Sequence, residues 1–335
     1  RAVLLSTAGV FLTALLVGLF CHYLLHFKFL ESMLIGAVIS STDAASVFSI
    51  LRSKRLNLKY NTASMLEVES GSNDPCSYMM TMIILTVMSG KFSGGELVWM
   101  IFAQLVFGIC VGVLVALGAA FILKKVQFAT DGFDTIFVFC MALVAYVLAS
   151  LLGGNGYLST YIAGIILGNQ PLTNKKSLVH FFDGITGLMQ MLIFFLLGLL
   201  SFPSQLPQIL PYALAIAVFL TFVARPVSVF AILSPFKAPI RQQLLVSWSG
   251  LRGAASIVFA IMATVSPAYT KNDVFHIVIF IVLFSISIQG SLLGLVAKKL
   301  DMIDDTGNVM KTFSDYSDEM PVEFIKIAIR KNHPW

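Results

Sequence analysis

The chain has 335 residues, 58% of them hydrophobic and only 12% charged, with a mean hydropathy of +0.89. Soluble domains carry about 25% charged residues, so this composition excludes an ordinary soluble domain and fits a polytopic, all-α membrane protein. The net charge of +5 does not signal nucleic-acid binding, because most of the basic residues sit in short connections between apolar runs.

Ten apolar stretches approach the roughly 20 residues a membrane crossing needs. They fall near 2–25, 29–51, 63–89, 95–123, 134–152, 156–171, 178–201, 208–233, 240–265 and 273–297, with only Gly153-Gly154-Asn155-Gly156 between the fifth and sixth. Charge tests the count. Connections after the even spans hold twelve Lys and Arg residues, from Arg52 to Lys299, against three (Lys28, Lys91, Lys271) on the other side. The positive-inside rule then puts the even connections, the start of the first span and the C-terminal tail in the cytoplasm. Arg1 leads straight into an apolar run with no initiator Met or signal peptide, so the chain reads as a fragment that begins inside a longer protein. Past Leu300 an acidic linker begins, and 321–331 alternates apolar and polar residues as a strand would. The four cysteines lie in apolar runs without metal-ligand spacing and read as small buried hydrophobes.

The third span opens with Glu67-Val68-Glu69-Ser70-Gly71-Ser72-Asn73-Asp74-Pro75, which sets Glu69 and Asp74 at or inside the apolar layer. A charge near the bilayer centre costs at least about 2.5–3.5 kcal/mol on insertion scales, so something must offset it. The second span contains Ser40-Ser41-Thr42-Asp43-Ala44-Ala45-Ser46, a poor helix and a good ion site. The ninth contains Gly250-Leu251-Arg252-Gly253, a charge bracketed by glycines. The two echo each other, Asp43-Ala44-Ala45-Ser46 against Gly253-Ala254-Ala255-Ser256, and they run in opposite directions across the membrane. Interrupted helices at matching places in inverted halves mark a secondary-transporter site, where unwound carbonyls and half-helix N-termini meet the ion. Arg252 lies too deep to snorkel easily, and Glu69 is its expected ion-pair partner. Arg225, beside Pro226, is read as structural. Gln190 and Gln289 are read as interhelical hydrogen bonds, and His22, His26, His180 and His276 as interfacial.

Thr42-Asp43, then Glu69-Ser70-Gly71-Ser72-Asn73-Asp74-Pro75, then Gly250-Leu251-Arg252-Gly253-Ala254 resemble the motif set of the monovalent cation:proton antiporter-1 family, nearest to its bacterial NhaP/CvrA-type members. The resemblance covers about 300 residues. It implies an inverted-repeat fold of thirteen spans with two interrupted, crossing helices, of which about ten would be present. It also implies a division into core helices over 1–90 and 206–299, a linker helix over 91–124, dimer-facing scaffold over 125–205 and the start of a cytoplasmic region over 300–335. By the same resemblance, Asp74 binds cation and proton in turn, Asp43 is a second acidic member, Ser70 gives a hydroxyl and Thr42 a carbonyl. Glu69 and Arg252 form a structural ion pair with Asn73 hydrogen-bonded beside it.

The expected protein is an antiporter of the bacterial inner membrane, exchanging K⁺ or Na⁺ for H⁺, with no cofactor and a homodimeric state. If the core moves only when Asp74 carries a cation or a proton, competition for that carboxylate gives exchange. Oxygen ligands suit hard alkali cations. Asn73 in place of a second Asp implies electroneutral, one-for-one exchange. A channel would show a repeated carbonyl-lined filter, which is absent from the sequence. A scaffold or sensor would leave the buried charges without a task. No P-loop, nucleophile elbow or zinc-type His pattern supports an enzyme.

Overall fold

The computed structural model describes residues 1–304 except 55, 91–92, 127–131, 172–174, 203, 205 and 268–272. The expected strand at 321–331 lies outside the described residues. Among the described residues, twelve principal helices succeed one another: α1 (Ala2–Tyr23), α2 (Phe29–Val38), α3 (Ala44–Ser53), α4 (Thr62–Met88), α5 (Gly94–Lys125), α6 (Phe133–Leu151), α7 (Gly156–Gly168), α8 (Lys175–Leu200), α9 (Pro207–Phe236), α10 (Ile240–Trp248), α11 (Ala254–Val265) and α12 (Val274–Lys299). Six of these (α1, α5, α6, α8, α9 and α12) are long and apolar enough to cross a membrane on their own. The other expected spans fall short for visible reasons. The second and ninth are broken into α2–α3 and α10–α11, α7 has 13 residues, and α4 carries Glu67, Glu69 and Asp74.

The ends of the chain pack together, and the middle adds a cluster of its own while α8 also reaches the cluster of the ends through Leu197. One apolar cluster joins α1 and α2 (Val17, Leu34, Ile35) to α9, α11 and α12 (Ile216, Phe259, Val278). A second joins Leu5, Val47 and Leu66 to Val229, Leu245 and Leu293. A third belongs to α5–α8 alone, built on Val111, Ala116, Ala145 and Ala163. Three helices contain π-turns, at Leu5–Gly9, Leu220–Ala224 and Ser285–Gly290. The one in α9 stands directly before Arg225-Pro226, where the missing proline N–H frees a carbonyl of the preceding turn.

Contacts join connections of like parity, as the charge alternation expects. Lys59 and Arg241 each bond Asp301 at 2.9 Å, tying the α3–α4 connection and the start of α10 to the end of α12. The hydrogen bond from Lys59 is the main cause holding the Asp301 carboxyl below the usual range. Arg1 reaches the carbonyl of Phe236, and Lys124 the side chain of Gln170. On the opposite side Phe202 N–H donates to His276 Nε2 at 3.0 Å, with Asp273 on the other ring nitrogen at 2.6 Å. His276, in the first turn of α12, is buried against these partners. The cysteines divide: Cys21 is buried and Cys76 half-buried, but Cys110 and Cys140 face outward, a correction to the expectation that all four are core residues. An apolar exterior in lipid gives no reason to hide a thiol.

Lipid removes the hydrophobic drive between helices, so close backbone approach matters more. Gly112 of α5 lies against α7, where an added Cβ would stand 2.5 Å from the Ser159 carbonyl oxygen. Gly118, further along the same helix, has nothing within 4 Å. Gly112→Val is expected to destabilise the detergent-solubilised protein by about 1–3 kcal/mol, in the range of overpacked cores. Gly118→Val should change it by well under half of that. Thermal unfolding of the two variants side by side checks the contrast.

Candidate functional site

The two broken spans cross at their breaks. α2 ends before Ile39 and α3 begins at Ala44; α10 ends before Ser249 and α11 begins at Ala254. Asp43 N–H donates to the Leu251 carbonyl at 2.8 Å, so backbone joins backbone at the crossing. The sequence echo is in register: Asp43 and Gly253 are the N-cap residues of α3 and α11. Unwinding at these points leaves carbonyls past the end of α2 without helical donors and points two half-helix N-termini at the same space.

Charged side chains meet those ends. The Asp43 carboxylate caps α3, accepting from Ser46 N–H at 3.2 Å and from the Ser46 hydroxyl at 2.6 Å. It also lies over Gly253, where any Cβ would collide with it. A carboxylate therefore stands at both N-termini, the favourable end of each dipole. Arg252 meets the opposite end. Its Nη1 donates to the Ser40 and Ser41 carbonyls at 2.7 and 2.6 Å, placing a cation where α2 stops. The Arg252 N–H donates to Ser285 Oγ at 3.0 Å, which fixes the second break against α12.

Asp74 projects from α4 into this crossing, and its carboxylate accepts a hydrogen bond from Ser41 Oγ. Asp43 and Asp74 are half-buried and share the wall of a cavity of about 350 Å³. Its core-side wall carries Ser41, Thr42, Ser70 and Gly253; its other wall is α8, with Ile185, Met189, Gln190 and Ile193. Ser70 and Thr42 are near but engaged. Ser70 Oγ donates to the Thr42 carbonyl at 2.7 Å and accepts from Ala44 N–H at 2.9 Å. Asn73 Nδ2 donates to Thr42 Oγ1 at 2.5 Å, so it braces the first break rather than the ion pair beside which it was expected. Behind Asp74, Asn155 Nδ2 donates to the Pro75 carbonyl at 2.9 Å and Ser72 to Tyr161 at 2.7 Å, anchoring α4 on α7.

The expected pairing of Glu69 with Arg252 does not form. Glu69 pairs with Arg225 of α9 at 2.6 Å, both side chains fully buried or nearly so. Two local causes redirect the partners. Gly250 leaves the room that Arg225 fills, since a Cβ there would stand 2.7 Å from its Nε. The broken end of α2 offers Arg252 two carbonyls of its own. Three further residues of the site are not evident from the sequence. Ser41 is visible there only as one hydroxyl in a polar run, Gln190 as a lone amide in an apolar span, and Arg225 as a charge near its span's end. The helix continues to Phe236, which moves Arg225 away from its end.

Comparisons with known proteins agree with this architecture. Residues 1–299 match the family described as sodium/hydrogen exchanger, transmembrane. A K(+)/H(+) antiporter NhaP from Alkalimonas amylolytica is 34% identical over 338 residues, covering 99% of this chain and 58% of the relative. A K(+)/H(+) antiporter NhaP2 from Shewanella baltica is also 34% identical, covering 89% of this chain and 52% of the relative. The chain thus spans a little over half the length of these curated relatives. The structure of the sodium proton antiporter MjNhaP1 from Methanocaldococcus jannaschii superposes with a TM-score of 0.76 at 25% identity, over 89% of this chain and 78% of that one. Because the family match over residues 1–299 takes in both interrupted helices and the residues around Asp74, the chain belongs to the transmembrane sodium/hydrogen exchanger family.

Proposed function

We propose that the full-length protein is a secondary antiporter of the bacterial inner membrane that exchanges K⁺ for H⁺ at Asp74. The observation that carries this reading is the placement of Asp74: a carboxylate held by one hydroxyl, facing a cavity between the crossing of the broken helices and α8. Asp43 is already held by three donors, from Ser46 and Gln190, so Asp74 is the carboxylate readiest to take an ion or a proton, with Asp43 the second acidic member of the cation site. The helices of the shared end clusters (α1–α4 and α9–α12) form the moving core, α5 the linker and α6–α8 the scaffold and homodimer face. The Lys59–Arg241–Asp301 side is cytoplasmic, by the positive-inside rule. Ser41 gives a hydroxyl oxygen; Ser70 and Thr42 hold the break open and come to the ion as their mutual bond loosens. Glu69, Arg225, Arg252 and Asn73 keep the crossing rigid.

Exchange follows from desolvation. An ionised, uncompensated Asp74 is costly to carry through the apolar layer, whereas the protonated or cation-bound carboxylate is not. Only the neutralised core moves, so each passage carries one proton or one cation, and the cycle is electroneutral. Asn73 supports this, because a neutral amide committed to Thr42 adds no second charge. K⁺ rather than Na⁺ is proposed on the names of the two relatives at 34% identity; the structural neighbour named a sodium proton antiporter keeps Na⁺ as the alternative.

The test is cation-induced pH change in vesicles containing the full-length protein. K⁺ should collapse a preset proton gradient, Na⁺ less well, and imposing a membrane potential should leave the rate unchanged. Cation flux without opposing proton movement would favour a channel, and a potential-dependent rate would defeat the one-for-one stoichiometry.

A further inference from the structure

We infer that Gln190 of α8 is a gating residue of the site: a hydrogen-bond donor, borne by the scaffold, that competes with the cation for Asp43. The inference rests on the reading of Asp43 and Asp74 as the ion site. Gln190 Nε2 lies 3.1 Å from Ser46 Oγ and 3.4 Å from Asp43 Oδ2. Chemistry fixes which end of the amide faces them. The Ser46 hydroxyl spends its proton on Asp43 Oδ2 at 2.6 Å, so both neighbours can only accept, and only the NH₂ end can serve them.

The contact crosses the boundary between the two helix groups. Beyond Gln190, α8 packs on the core through Ile193, Phe194 and Leu197, on the cluster that holds Phe259 and Val278. What it offers α3 is polar. Two turns before Gln190 on the same face of α8, Asp183 meets Arg52 near the far end of α3 at 3.6 Å. The two helices run antiparallel, Gln190 against the N-cap and Asp183 against the last turn. Hydrogen bonds are short-ranged and directional, so a displacement of α3 along α8 by a few ångströms abolishes both contacts. In the arrangement seen here, Gln190 therefore stabilises the ion-free anion and holds the core against α8. A cation that engages Asp43 must displace the amide first, and doing so releases α3 from the scaffold.

The competition gives a sign. Gln190→Met keeps the bulk and removes the donor, so the cation no longer has a rival. The apparent KM for K⁺ or Na⁺ is expected to fall about three- to tenfold, the scale of one ordinary intramolecular hydrogen bond, with transport retained. Gln190→Lys places a stronger, charged donor beside Asp43 and is expected to raise KM more than tenfold. Both are measured on the full-length protein in the vesicle assay, as KM against maximal rate, with thermal unfolding as the check on folding. A raised KM in Gln190→Met would make Gln190 a ligand through its carbonyl oxygen and overturn the proposal. An unchanged KM in both variants would overturn it in favour of a purely structural contact. Asp74→Asn in the same vesicles separates the two levels: persistent exchange there would remove the site reading itself, whereas its loss alongside unaltered Gln190 variants would remove only this inference.

Discussion

Asp74→Asn is expected to abolish cation-driven proton movement, reducing exchange to the rate of protein-free vesicles, while the protein remains folded. Asn keeps the shape of Asp and can still meet Ser41, so the crossing of the broken helices has no reason to collapse. What disappears is the charge that either ion or proton neutralises. The variant core is permanently neutral and can move without cargo, so it carries nothing in exchange. Asp43→Asn has a different expected signature. It keeps a partner for the Ser46 N–H but places a neutral side chain at two helix N-termini, so it weakens the α3 cap by about 0.5–1 kcal/mol and impairs cation affinity more than it eliminates turnover. The check is the vesicle assay on both variants, with unfolding temperatures measured beside it. Undiminished exchange by Asp74→Asn would end the single-carboxylate mechanism.

Much of this molecule is legible in its sequence because the membrane makes deviations costly. Serines, an aspartate or paired glycines in the middle of an apolar run have few structural excuses, and both broken spans are visible for that reason. The echo between Asp43-Ala44-Ala45-Ser46 and Gly253-Ala254-Ala255-Ser256 is legible to the residue, since each tetrad starts at an N-cap. What spacing does not carry is which of two deep arginines meets which acid. That depends on Gly250 making room for Arg225 and on the carbonyls of Ser40 and Ser41 attracting Arg252, both of which exist only once distant segments cross. A charge balance within the layer helps here: Glu69, Asp43 and Asp74 stand against two buried guanidiniums, so each arginine needs its own task. The gating amide at Gln190 gives no comparable signal, because a glutamine costs far less than a charge in an apolar helix.

The corrected pairing yields the second large expected effect. Glu69 and Arg225 are buried ion partners at 2.6 Å, so removing either leaves an uncompensated charge inside the layer. Glu69→Gln or Arg225→Met alone is expected to cost about 3–5 kcal/mol, enough to lower the unfolding temperature sharply or prevent accumulation in the membrane. The double variant removes both charges and should recover most of that loss, because replacing a whole buried pair by neutral side chains is often tolerated. Arg252→Met has another expected pattern. It strips a cation from the end of α2 and from the carbonyls of Ser40 and Ser41, and Glu69→Gln should not rescue it to the same degree. Double-mutant cycles on unfolding temperature discriminate the two: the geometry requires strong coupling between Glu69 and Arg225 and weaker coupling between Glu69 and Arg252. The reverse order would restore the pairing that the sequence alone suggests. It would mean that the crossing rearranges so that Arg252 leaves α2, a change that would also free Ser41 and alter the hold on Asp74.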